Sequence, residues 1–219
     1  MRNIVLLMLV CLVQAVAAEP VRIMAVGDSI TQGGKTFTTY RLPLAPKLKA
    51  AGRSFVFVGS QVSDSPLGSL RHEGYGGKNA EFLASILEAK LKEHPADILL
   101  IHSGHNHSAE EKPIPGIIAA TRGMITTARR SNPKVTVLLA QVITSGKLPK
   151  YSYLPALNQA LADLAKELDV AGQRVVLVDM AQGFDWKTDA VADRVHPNEQ
   201  GAEKIAARWM QALDSVWPK

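Results

Sequence analysis

The sequence predicts an α/β fold of three layers, with a five-stranded parallel sheet in flavodoxin-like order between two sets of helices. Short apolar runs alternate with amphipathic segments along most of the chain. The runs are apolar on both faces, as expected of strands covered by helices on each side. Right-handed crossovers then leave few topologies, of which the flavodoxin-like order is the simplest.

The elements follow in order. Val21 to Val26 reads as the first buried strand. Thr39 to Ala51 carries Leu42, Leu44, Leu48 and Ala51 at helical spacing and ends at Gly52. Phe55 to Val58 is a second strand, followed by a polar, glycine-rich loop from Gly59 to Gly77. Asn79 to His94 is a helix with Phe82, Ile86, Leu87 and Leu91 on one face, stopped by Pro95. Asp97 to Ile101 is the third strand, Pro113 to Arg130 a helix and Val135 to Gln141 the fourth strand. Tyr153 to Val170 is a long helix, Arg174 to Val178 the fifth strand and Asn198 to Val216 the closing helix.

A length of 219 residues suits one domain with a full core. Residues 1–18 stand apart: Arg2, an apolar run from Ile4 to Val13 and the small residues Ala15-Val16-Ala17-Ala18 predict a secretory signal peptide. The run is too short for a membrane anchor, which needs about 20 apolar residues. Residues 19–219 are then a single exported domain, secreted or periplasmic, with no stable membrane association after cleavage. Cys11, the only cysteine, falls in the leader, so the mature chain carries no thiol, disulfide or thiolate metal site. Without Arg2 the 25 basic residues become 24 against 20 acidic ones, a formal charge of +4. That excess is spread out and lacks a basic stripe or aromatic platform, which argues against a nucleic-acid partner.

Chemistry concentrates at one edge of the predicted sheet. Gly27-Asp28-Ser29 follows the first strand, Gly77 lies in the loop after the second, and Asn106 follows the third. Asp193-Arg194-Val195-His196 follows the fifth. Ligands bind beyond the carboxyl ends of strands in such sheets. A serine hydroxyl attacks a carbonyl only when a nearby base takes its proton, and the base works best when a third group holds its tautomer. Ser29, His196 and Asp193 supply these three types, and a spacing of three lets the carboxylate reach the imidazole. Ser29 taken alone would also suit a helix N-cap, and Gly76 and Gly77 a turn needing positive φ.

Four blocks in order resemble the SGNH hydrolases, the lipase and esterase superfamily also named for its GDSL motif. They are Gly27-Asp28-Ser29-Ile30-Thr31, Glu73-Gly74-Tyr75-Gly76-Gly77, Gly104-His105-Asn106-His107 and Asp193-Arg194-Val195-His196-Pro197. Tyr40-Arg41-Leu42, Val58-Gly59-Ser60 and His72-Glu73-Gly74-Tyr75 look most like the secreted acetylxylan-esterase type. The resemblance implies the SGNH hydrolase fold, with Ser29 as nucleophile, His196 as general base and then acid, and Asp193 orienting it. It implies an oxyanion hole of the Ser29 N–H, the Gly77 N–H and the Asn106 side-chain amide, with Gly76 as the neighbouring alternative to Gly77. No cofactor is implied, and the partner is a small-molecule or glycan ester.

The third block departs from the family pattern. His107 stands where Asp is usual and His105 where a small residue is common, which puts the positioning of Asn106 in question. His102, His105 and His107 raise the matter of zinc, which wants three or four ligands in a tetrahedral array. The sequence names no complete set, so no metal is expected. Asp28, His105 and His107 are instead read as lining the pocket. The leading expectation is a secreted esterase removing short acyl groups, acetyl above all, from carbohydrate. The alternatives are a carbohydrate-binding protein whose catalysis is impaired around Asn106, or a thioesterase or lysophospholipase with a long apolar channel. The sequence leaves the oligomeric state open.

Overall fold

The structure, a computed structural model, describes residues 19–170 and 174–218. The expected signal peptide and Cys11 lie outside the described residues. The strands are β1 (Val21–Gly27), β2 (Phe55–Val58), β3 (Gln61–Ser63), β4 (Leu70–Gly74), β5 (Ile98–His102), β6 (Thr136–Ala140) and β7 (Val175–Val178). The helices are α1 (Ser29–Gln32), α2 (Arg41–Ala50), α3 (Ala80–Glu93), α4 (Ile114–Ser131), α5 (Leu154–Val170), α6 (Trp186–Asp189) and α7 (Glu199–Val216).

Five strands pair in parallel in the order β2-β1-β5-β6-β7, the flavodoxin-like arrangement. Alternate side chains of each strand then face opposite layers. Met24, Val26, Leu99, Ile101, Val137 and Leu139 point to a core built with Leu83 and Leu87 of α3, Met124 of α4 and Leu161 of α5. Ile23, Ala25, Ile98, Leu100 and Leu138 point to the other core, with Leu44 and Leu48 of α2 and Ile205, Trp209 and Leu213 of α7. Each fully buried Leu or Ile contributes about 1.5–3 kcal/mol relative to exposure, so both layers hold the sheet firmly.

The sheet has seven strands rather than five. The extra pair, β3 and β4, forms an antiparallel ribbon within the stretch expected to be loop. The ribbon lacks the apolar alternation that marks a strand in sequence; Leu70-Arg71-His72-Glu73-Gly74 is mostly polar. Its support is tertiary. Val26 and Gly27 of β1 run past the end of β2 and pair with Glu73 and Gly74 instead. Glu73, though buried, is satisfied: Oε1 accepts the Ser60 amide and Oε2 the Tyr75 hydroxyl at 2.6 Å. This handover on β1 brings the 74–77 turn against the start of α1.

Candidate active site

Ser29 opens α1 directly after β1. The N-cap of that short helix is Asp28, whose Oδ1 accepts the Ile30 amide at 3.0 Å. Capping therefore does not occupy the Ser29 hydroxyl, which stands 2.7 Å from His196 Nε2. The turn is tight: a Cβ on Gly27 would collide with Thr31 and with the His102 carbonyl of the neighbouring strand.

His196 and Asp193 sit on the loop between α6 and α7. His196 Nδ1 lies 2.5 Å from Asp193 Oδ2, while Asp193 Oδ1 accepts the amides of Val195 and His196 at 2.8 and 3.0 Å. Burial works to raise the Asp193 carboxyl, but the His196 ring and these two amides outweigh it and hold it below the usual carboxylate range. The loop is pinned at both ends. The Arg194 carbonyl accepts Gly146 N–H and Ser145 Oγ–H at 2.9 Å each. Asp189, fully buried, binds Lys204 Nζ at 2.7 Å and the Asp185 amide at 2.7 Å. Asn198 caps α7 by accepting the Gly201 amide at 2.9 Å. With Asp193 ionised, Nδ1 carries the imidazole proton and Nε2 faces Ser29 as an acceptor.

The 74–77 turn separates Gly76 from Gly77. The Gly76 N–H donates to Gln32 Oε1 at 2.5 Å, and a Cβ there would come 2.6 Å from that oxygen and 3.8 Å from Ser29 Cβ. The Gly77 N–H has no acceptor among the described residues. Gly77 has φ +74°, and a Cβ would meet no protein atom, so conformation is what favours glycine there. Asn106, also at positive φ, donates from Nδ2 to the Lys78 carbonyl at 2.9 Å, which joins the third block to the turn holding Gly77. One N–H of that amide is left over.

His107 ties its loop to two carboxylates. Its Nδ1 lies 2.7 Å from Glu111 and its Nε2 3.0 Å from Glu81 in the first turn of α3. Burial opposes its protonation, but the two carboxylates outweigh that and raise its pKa. Asp28 and His105 do not line an open pocket as expected: both are buried behind Ser29, 3.7 Å apart at Oδ2 and Nδ1. Asp28 turns inward because it caps α1, and His105 turns inward to pack edge-on against Tyr151. His102 and Ser103 join them, and Asp28 Oδ2, Ser103 Oγ and all four ring nitrogens of His102 and His105 lack hydrogen-bond partners among the described residues. Burial pushes His102 down to about 4. Among the described residues no group of three or more His, Cys, Asp or Glu has metal-binding geometry.

Sequence reasoning missed Phe37, whose ring stacks on His196 with centroids 4.0 Å apart and planes at 17°. The signal was Gly33-Gly34 just before it, since a Cβ on Gly34 would run into the Phe37 ring. Glu81 was also missed; the residues around His107 give no hint of a carboxylate on α3, 26 positions away.

The arrangement can activate the Ser29 hydroxyl, and it leaves the Gly77 N–H and one N–H of Asn106 without acceptors among the described residues. The sequence profile of the GDSL-like Lipase/Acylhydrolase family matches residues 25–204. A carbohydrate esterase family 3 structure from Talaromyces cellulolyticus is 26% identical, with TM-score 0.76, covering 90% of this chain and 99% of that one. The family 3 carbohydrate esterase of Clostridium thermocellum is 28% identical, with TM-score 0.76, covering 90% and 97%. A multidomain esterase of Ruminococcus flavefaciens is 25% identical over 90% of this chain, which spans only 29% of that longer protein.

Proposed function

Because this chain belongs to the GDSL-like lipase/acylhydrolase family, a family of carboxylic ester hydrolases, we propose that it is a secreted serine esterase removing acetyl or similarly short acyl groups from carbohydrate. The observation that carries the reading is the continuous relay from Ser29 Oγ through His196 to Asp193, at 2.7 and 2.5 Å. Similarity to family 3 carbohydrate esterases supports the substrate class. The composition of residues 1–18 supports export.

In this reading Ser29 Oγ attacks the ester carbonyl as its proton passes to His196 Nε2, and the carbonyl electron pair moves onto oxygen. The N–H groups of Ser29 and Gly77 and the free N–H of Asn106 Nδ2 bind that oxyanion, each worth on the order of 3 kcal/mol in the transition state. Collapse expels the alcohol, which takes the proton from His196. Water, deprotonated by the same ring, then releases the acid and restores Ser29. Asp193 holds the ring orientation and stabilises the imidazolium, which is its task while ionised.

The test is to treat the folded protein with a fluorophosphonate, map the modified residue by mass spectrometry and assay 4-nitrophenyl acetate in parallel. Labelling at Ser29 with ester turnover is the expected result. Absence of both in folded protein would turn the reading toward a binding protein on a hydrolase fold.

A further inference from the structure

Beside the relay, between the loop after α1 and the β3–β4 ribbon, runs a groove of about 350 Å³. We propose that this groove binds the sugar unit of the ester's alcohol portion; the inference rests on the ester-hydrolase reading and adds where the glycan sits.

The groove adjoins the reacting groups through two of its own residues. Phe37, which lines it, stacks on His196, and Gln32, which also lines it, holds the Gly76 amide next to Gly77. Its lining joins apolar surface from Phe37, Leu42 and Val62 to polar groups from Gln32, Gln61 and Ser63. Val62 is 49% exposed, an apolar side chain held in solvent at the lip. A pyranose has the matching character, with C–H faces for apolar surface and oxygens for a few placed polar groups.

Ser63 is prepared to donate. His72 Nδ1 accepts the Gly74 amide at 3.0 Å, so the proton of this neutral ring is on Nε2, 3.2 Å from Ser63 Oγ. Burial first and the Arg41 charge second push His72 down to about 3, keeping it neutral. Arg41 Nη2 donates to the same Ser63 Oγ at 2.9 Å. The hydroxyl oxygen thus receives two donors, and its own proton has no acceptor among the described residues. Arg41 is wholly buried and its other partners are the carbonyls of Thr31, Gln32 and Leu70, so no carboxylate offsets its charge in these contacts. That charge polarises the Ser63 O–H and strengthens it as a donor toward a sugar or acyl oxygen.

The test uses mono-O-acetylated xylobiose and isothermal titration calorimetry on a Ser29→Ala protein, which spares the ligand from turnover. We expect binding that weakens at least tenfold when Ser63→Ala or Val62→Asp is added. Val62→Asp guards against misfolding, since that side chain is exposed and Ser63 helps satisfy a buried guanidinium; melting temperatures verify both. No binding to the Ser29→Ala protein, or affinity within twofold in both groove variants, overturns the proposal. Turnover of 4-nitrophenyl acetate by protein with Ser29 intact reports on the esterase reading separately. Groove-dependent binding without that turnover keeps the subsite and brings down the esterase.

Discussion

Two Asp–His pairs flank Ser29. On the solvent side His196 Nδ1 lies 2.5 Å from Asp193, and the other ring nitrogen reaches Ser29 Oγ at 2.7 Å; the two side chains are 23% and 42% exposed. On the core side His105 stands 3.7 Å from Asp28, both are buried, and neither ring nitrogen of His105 has a hydrogen-bond partner among the described residues. The residue types are the same, yet only the outer pair links a carboxylate to the Ser29 hydroxyl. Under the proposed function a relay needs a ring bonded at both nitrogens, which His196 has and His105 lacks. The inner pair instead contributes the cap of α1 itself, Asp28, which places Ser29.

The widest separation between the pairs is expected in turnover. His196→Ala should lower kcat on 4-nitrophenyl acetate by about a thousandfold or more, in keeping with other triads. His105→Ala should cost less than about tenfold in kcat and register chiefly as a melting temperature several degrees lower, from the cavity it leaves. Comparable kcat losses in the two variants would mean that the two pairs do not differ in function.

Asn106→Ala should fall between them, at roughly a hundredfold in kcat for one lost oxyanion donor. A KM increase with kcat unchanged would assign Asn106 to substrate binding instead.

The effect smallest in turnover concerns buried histidines and appears in stability. His102 is pushed down to about 4 and His72 to about 3, both mainly by burial. As pH falls below about 6.5 the unfolded chain takes up protons that these folded-state rings refuse, so ν is greater in the unfolded state and stability falls with acid. The depressed carboxyl of Asp193 acts with the same sign lower down: its contribution is present above its unfolded value and is lost as pH drops through the folded one. Calorimetry from pH 7 to pH 4 should show the melting temperature falling by roughly 10 °C. A flat profile would mean that the buried rings are protonated in the folded protein.

Much of this was legible in the sequence. The five parallel strands and the main helices follow from periodicity, a local property that each segment carries by itself. The Asp193–His196 contact was foreseeable because three residues on one loop keep both groups within reach. The β3–β4 ribbon was hidden because its residues lack alternation and its pairing depends on where β1 outruns β2. The pairing of His107 with Glu81 was hidden for a related reason: Glu81 lies 26 residues away on α3, and only the folded chain brings it near.

By itself, then, the sequence determined the layer architecture, the edge of the sheet where chemistry gathers and the residue types available there. The tertiary structure alone decided that Asp28 caps α1 and leaves Ser29 free, and that Gln32 occupies the Gly76 amide while Gly77 keeps its own. It also decided that Phe37 stacks on His196. The physical reason is range. Propensity and periodicity act over a few neighbours, whereas Ser29 and His196 are 167 residues apart and meet only because packing on both faces of the sheet closes the chain around them.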